Sequence, residues 1–88
     1  MINKQFVMNC NEGFHLRPAQ VLMEKSTEFQ SDIVLKKSDS EEADAKSILG
    51  LMSLGIEKGE TVVVKISGSD EKKAMSAIEK LFANNFDE

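Results

Sequence analysis

Tryptophan and tyrosine are absent from the 88 residues, and cysteine, histidine and proline occur once each. Any aromatic surface therefore has to come from five phenylalanines. A single cysteine, Cys10, excludes an intramolecular disulfide, and a single histidine, His15, excludes a multi-histidine metal site. No stretch approaches the roughly 18 apolar residues of a membrane-spanning helix. The opening MINKQFVMNC also lacks the apolar core of an export signal. Membrane insertion is not expected, and a reducing, cytoplasmic setting is. Eleven Lys and Arg stand against fifteen Asp and Glu, a formal charge of −4. Direct nucleic-acid binding, which rests on a basic surface, is disfavoured. No Walker or dinucleotide-type glycine motif is present, so no nucleotide or other cofactor is expected.

What is there is ordinary globular material, 41% hydrophobic and 30% charged. A chain of this length is expected to form one domain, residues 1–88, exposing roughly 5,200 Å² and burying about 64% of its unfolded surface. That supplies one core and no room for a deep substrate cavity, so any chemistry is expected at the surface.

Hydrophobic periodicity divides the chain into seven elements. Apolar side chains at Ile2, Phe6, Met8 and Cys10 have the period of a strand with one face inward. Leu16 to Thr27 places Ala19, Leu22, Met23 and Ser26 at helical spacing, and Pro18 falls in the first turn, where a missing N–H costs nothing. Ile33 to Leu35 predicts a second strand. Ser38 to Ser40 reads as a turn, and Glu41 to Ala45 as a short edge strand whose charges discourage pairing with other molecules. Ser47 to Gly55 predicts a short helix, with Ser47 at or near its start and Gly55 as its stop. Val62, Val64 and Ile66 alternate through a more central strand, and Val63 adds apolarity to the other face. From Asp70 to Ala83, Ala74, Ala77, Ile78 and Leu81 share one stripe, with Asp70 and Glu71 complementing the helix start. The order β-α-β-β-α-β-α predicts an α+β fold of two layers, helices on one face of an antiparallel sheet.

Chemistry concentrates in Gly13-Phe14-His15-Leu16-Arg17-Pro18-Ala19. An imidazole at a helix start faces backbone N–H groups without helical partners and a dipole that favours negative charge. Arg17 adds donors suited to phosphate oxygens, and Gly13 permits close backbone approach or an unusual φ. Neutral imidazole is a nucleophile, and an ordinary pKa of about 6.5 leaves much of it neutral in the cytoplasm. A lone histidine at a helix start is ordinarily a cap or a solvated residue, and a lone arginine is ordinarily solvated. Their combination describes a surface residue that accepts and surrenders a phosphoryl group. Ser47 by its position is a helix cap. Cys10 reads as a small buried hydrophobe, and Glu41, Glu42 and Asp44 as a solvated acidic face, not a metal site.

Gly13 to Ala19, together with Lys46-Ser47-Ile48-Leu49-Gly50-Leu51-Met52-Ser53-Leu54-Gly55, gives the sequence its resemblance to the HPr family. These are the histidine-containing phosphocarriers of the bacterial phosphoenolpyruvate:sugar phosphotransferase system. The resemblance continues through the Lys58-Gly59 turn, Thr61 to Ile66, Gly68 to Glu71 and the last helix, so it covers essentially the whole chain. It implies an open-faced β-sandwich, a four-stranded antiparallel sheet with three helices on one face. It implies a carrier modified in turnover and not a free-standing enzyme, working as a monomer. His15 would take a phosphoryl group from phospho-enzyme I on Nδ1, assisted by Arg17, and pass it to a histidine of an enzyme IIA domain. The resemblance further implies that Ser47 is phosphorylated by an ATP-dependent HPr kinase/phosphorylase. A catabolite-control transcription factor would bind the phosphoserine form, as in the Gram-positive branch of the family.

Ile48, Leu49, Leu51 and Met52 are too many apolar residues for one face of so short a helix, which predicts an exposed patch. With the family's docking surface as guide, Leu16, Arg17, Gln20, Ile48, Leu49 and Met52 are expected around His15. Two departures stand out. Glu12 brings a carboxylate near His15 that would favour imidazolium and oppose a phosphate. The turn through Ser38 to Ser40 lacks the usual Asn-Gly pair and is one residue longer, which leaves the register of the third strand open. Two further readings stay open: a family paralogue serving a nitrogen-related or dihydroxyacetone phosphorelay, and a mainly regulatory module acting through Ser47. Retention of His15 argues against the last as a sole role.

Overall fold

The computed structural model describes residues 1–11 and 13–87. Its elements are β1 (Ile2–Val7), α1 (Leu16–Ser26), β2 (Asp32–Ser38), β3 (Glu41–Asp44), α2 (Ile48–Ser53), β4 (Thr61–Ser67) and α3 (Glu71–Ala83). A short 3-10 turn, Asn85–Asp87, follows. The strands form one antiparallel sheet in the order β1-β4-β2-β3, so the helices cover one face and leave the other open. The exposed area, 5022 Å², lies close to that expected for the length.

β4 is central, as its two-sided apolarity predicts, pairing with β1 from Ile2↔Ile66 to Val7↔Thr61 and with β2 from Asp32↔Ser67 to Lys36↔Val63. Alternation turns Val62, Val64 and Ile66 toward the helices with Ile33 and Leu35 of β2, all fully buried. The short acidic β3 is an edge, as expected. The longer turn before it is absorbed by a bulge: Lys36 pairs with Glu42 but Ser38 with Glu41, leaving Lys37 as the extra residue. Lys37 Nζ donates to the carbonyls of Leu54 and Gly55 at 3.3 and 3.4 Å, satisfying acceptors at the C-terminal end of α2.

Two expectations are corrected. The first strand ends at Val7 instead of Cys10, because the chain opposite turns at Lys58-Gly59 and the regular ladder runs out. Met8 still exchanges bonds with that turn (Met8 N to Glu60 O, 2.9 Å; Gly59 N to Met8 O, 2.7 Å), and Met8 and Cys10 are fully buried. The buried stripe of α3 is Ala74, Met75, Ile78, Leu81 and Phe82, with Ala77 at its rim. Asp70 makes no side-chain cap on its own helix. Its carboxylate instead accepts from Gln30 N (2.9 Å), Ser31 N (3.0 Å) and the Ser31 hydroxyl.

That clamp closes the α1–β2 connection onto the start of α3. Gly68 belongs to it: φ is +154°, and a Cβ there would lie 2.5 Å from Ser31 Oγ and 2.7 Å from its Cα. The Ser31 hydroxyl, then the Gln30 and Ser31 amides, stabilise the ionised carboxylate and hold the Asp70 pKa below its ordinary 3.8. Glu71 is lowered in the same way, chiefly by the Gly68 N–H donating to it at 3.1 Å.

A carboxylate with a depressed pKa contributes stability above the unfolded-state value and loses it as pH falls through the folded-state value. Asp70→Asn is accordingly expected to lower the melting temperature at pH 7. The gap from the parent chain should shrink as pH drops below about 4, the region where aspartates titrate. Thermal melts across pH 2–7 check this, and a gap that stays constant contradicts it.

Candidate functional site

α1 begins where the sequence places it. His15 is the N-cap, in extended backbone (φ −87°, ψ −171°), and its carbonyl accepts the first intrahelical bond, from Ala19 N at 3.1 Å. The imidazole side chain makes no capping bond to the helix and is half-buried. Ahead of Ala19 the amides of Leu16 and Arg17 have no acceptor within the helix, and Pro18 has no N–H at all. The first turn thus presents two backbone donors, with the exposed Arg17 guanidinium carried on the same turn.

The loop that delivers His15 is fixed from below. Gly13 N donates to Cys10 O at 2.9 Å, Phe14 N to Ile56 O at 2.8 Å and His15 N to Gly13 O at 3.1 Å. Gly13 stands at φ +73°, and a Cβ there would meet Ile56 O at 2.6 Å and Glu57 Cα at 2.9 Å. Two requirements for glycine coincide: a left-handed backbone and a second strand of chain in contact. Sequence alone allows either and gives no sign that residues 56–58 form the floor. Glu12 lies outside the described residues.

Ser47 is the N-cap of α2, its Oγ accepting from Gly50 N at 3.1 Å, and the residue is exposed. α2 therefore spans fewer residues than the Ser47–Gly55 run, with Leu54 as C-cap and Gly55 beyond it at φ +60°. α1 and α2 pack against one another, and Lys46 Nζ donates to Phe29 O at 2.9 Å, fastening the approach to α2 beside the end of α1. Of the expected patch, Leu49 is 78% exposed, Leu16 54% and Met52 40%. Arg17 and Gln20 are exposed and Ile48 is half-buried, while Leu51 is buried in the core. Leu16, Leu49 and Met52 thus leave large apolar side chains outside on two packed helices. The acidic residues Glu41, Glu42 and Asp44 lie exposed along the edge strand, and Cys10 is buried.

The family model described as "PTS HPr component phosphorylation site" matches residues 2–84. The chain is 38% identical over 78 residues to the HPr-like protein Crh of Halalkalibacterium halodurans, covering 89% of this chain and 92% of that one. It is 40% identical over 76 residues to the phosphocarrier protein NPr of Proteus mirabilis, covering 86% and 84%. Its fold superposes on the crystal structure of HPr-C-His from Thermoanaerobacter tengcongensis with a TM-score of 0.93 at 33% identity, covering 100% and 98% of the two chains.

Gly13→Ala tests the floor beneath the loop. Adding a left-handed cost of about 1–2 kcal/mol to an overpacking cost of about 1–3 kcal/mol, the substitution should destabilise the chain by about 2–5 kcal/mol. Urea unfolding midpoints read this directly, and a loss below about 1 kcal/mol, within reach of an ordinary point substitution, would contradict the contact.

Proposed function

The chain belongs to the HPr family, phosphocarriers of the phosphotransferase system, and on that footing we propose that this one domain, residues 1–88, relays phosphoryl groups through His15 in the cytoplasm. The observation that carries the reading is the half-buried imidazole at the N-cap of α1, ahead of the uncommitted amides of Leu16 and Arg17. In the proposed step, Nδ1 of the neutral ring forms the new P–N bond as the donor histidine of phospho-enzyme I takes back the electron pair of its own. With the far nitrogen of its ring protonated, the donor leaves as neutral imidazole, while the His15 ring keeps its own N–H and becomes a phosphoimidazolium, so no separate proton acceptor is required. Arg17 and the two amides bear on the phosphoryl oxygens, where charge gathers in transfer. The reverse step hands the group to a histidine of an enzyme IIA domain.

The docking surface in this reading is Leu16, Arg17, Gln20, Ile48, Leu49 and Met52. Leucine and methionine re-pack against differently shaped partners, which suits a carrier that meets several. Ser47 is proposed as a regulatory phosphorylation site for an HPr kinase/phosphorylase, with a catabolite-control transcription factor as reader of the modified form. A phosphate there adds about −1.5 to −2 charges beside the docking helix. It is compatible with the start of α2 and opposes an acidic partner. A second reading, a carrier of a nitrogen-related relay, is favoured by the 40% identity to an NPr.

Incubation with enzyme I and labelled phosphoenolpyruvate should give an acid-labile, alkali-stable label that disappears in His15→Ala. Label that survives the substitution overturns the assignment. Loading by a nitrogen-branch enzyme I alone would select the second reading.

Ser47 separates into two measurements. Ser47→Ala removes the cap and should cost about 1 kcal/mol, and it should abolish an ATP-dependent, acid-stable phosphate added by the kinase. Ser47→Asp keeps a good cap and adds a charge, so stability should hold while transfer to His15 slows. An unchanged transfer rate in Ser47→Asp contradicts the electrostatic brake.

A further inference from the structure

The C-terminal turn contains an unusual pair. Asn85 and Phe86 both stand at positive φ, 49° and 55°. Asparagine tolerates this region, but a bulky phenylalanine there is an outlier, and such backbone persists only where its surroundings over-determine it. The ring supplies that constraint. Phe86 is 2% exposed and lies edge-on to Phe82, with centroids 4.8 Å apart, and edge-on to Phe14, 5.7 Å apart. Phe82 in turn stacks on Phe6 at 4.4 Å. Four of the five phenylalanines thus form one run from β1 through α3 and the final turn to Phe14, the residue before His15.

A second tie runs through the backbone of the same turn. Cys10 Sγ donates to Asn85 O at 3.7 Å, and Cys10 O is the acceptor for Gly13 N. The turn therefore touches the His15 loop at both its beginning, Cys10, and its end, Phe14, and it packs against α1 as well as α3. The floor at residues 56–58 holds the loop backbone, whereas Phe86 fills the space under the Phe14 ring.

We propose that the Asn85–Phe86 turn is a positioning element for His15, with Phe86 acting through Phe14 to hold the imidazole at the start of α1. The proposal rests on the carrier reading and deepens it. Phe86 touches no reacting group. Its effect is on where the ring sits, and in-line transfer loses rate steeply when reacting atoms are displaced.

The test compares Phe86→Ala, Phe86→Leu and Ile33→Ala, the last a core truncation in β2 chosen as a stability control remote from the loop. Two readouts are taken where each variant is folded: the rate of His15 loading from phospho-enzyme I, and the pH titration of the His15 ring followed by NMR. Phe86→Ala should slow loading about tenfold or more and move the ring titration, while Ile33→Ala leaves both near the parent values. Phe86→Leu, which restores apolar volume without the ring edge, should fall between. If Phe86→Ala does not fold, Phe86→Leu decides: parent values in both readouts overturn the proposal. Equal slowing by Ile33→Ala overturns it too, since the loss would then follow stability alone. The titration needs no transfer partner. A parent chain that takes no phosphoryl group sinks the carrier reading, whereas an unmoved titration in Phe86→Ala sinks the positioning role.

Discussion

The contact between the Gly13 backbone and residues 56–58 governs the placement of His15 and the start of α1. It determines where the chain comes out of β1, and hence where α1 starts and which residue becomes its cap. With a side chain at Gly13 the two segments could not approach, and the Phe14 N–H would lose Ile56 O as its partner. The sheet supports the arrangement from outside, because the turn at Lys58-Gly59 that carries the floor also bonds to Met8 at the end of β1. A small fold thus places its single histidine at the start of a helix, half-exposed, by backbone packing alone.

The same economy marks α2. Six residues cannot make a self-sufficient helix, and α2 is held from both ends: Ser47 Oγ meets Gly50 N at the start, and Lys37 reaches from the β2 bulge to the carbonyls of Leu54 and Gly55. Anchored in this way, with Leu51 in the core, the helix can present Leu49 and Met52 to solvent without depending on them for its own stability. Adhesive side chains on a helix braced by other residues are free to be used elsewhere.

Much of this was legible in the residues, for reasons that differ by element. β4 and α1 follow from periods of two and 3.6, and Ser47 from the chemistry of caps. The order β1-β4-β2-β3 was not legible, since alternation says which face is inward and not which strand is adjacent. Asp70 shows the limit well. A carboxylate at a helix start finds amide donors, as its chemistry requires, but they belong to Gln30 and Ser31, brought there by tertiary folding. Met75 and Phe82 displace Ala77 from the core face of α3 because the buried stripe depends on how the helix lies across the sheet. At the candidate site the cap, the exposed guanidinium and the outward apolar residues were all legible. Phe86 was not, because it lies beyond the periodic stripe of the last helix and nothing local announces a buried ring.

Pro18 has one more consequence. Lacking an N–H, it leaves the opening turn of α1 with two amide donors where three could stand. On the carrier reading a phosphoryl group brings three terminal oxygens, so backbone alone cannot saturate the adduct. The remaining contacts fall to the Arg17 guanidinium and to water, which exchange readily when the group leaves. For a courier, holding its parcel loosely is the better grip.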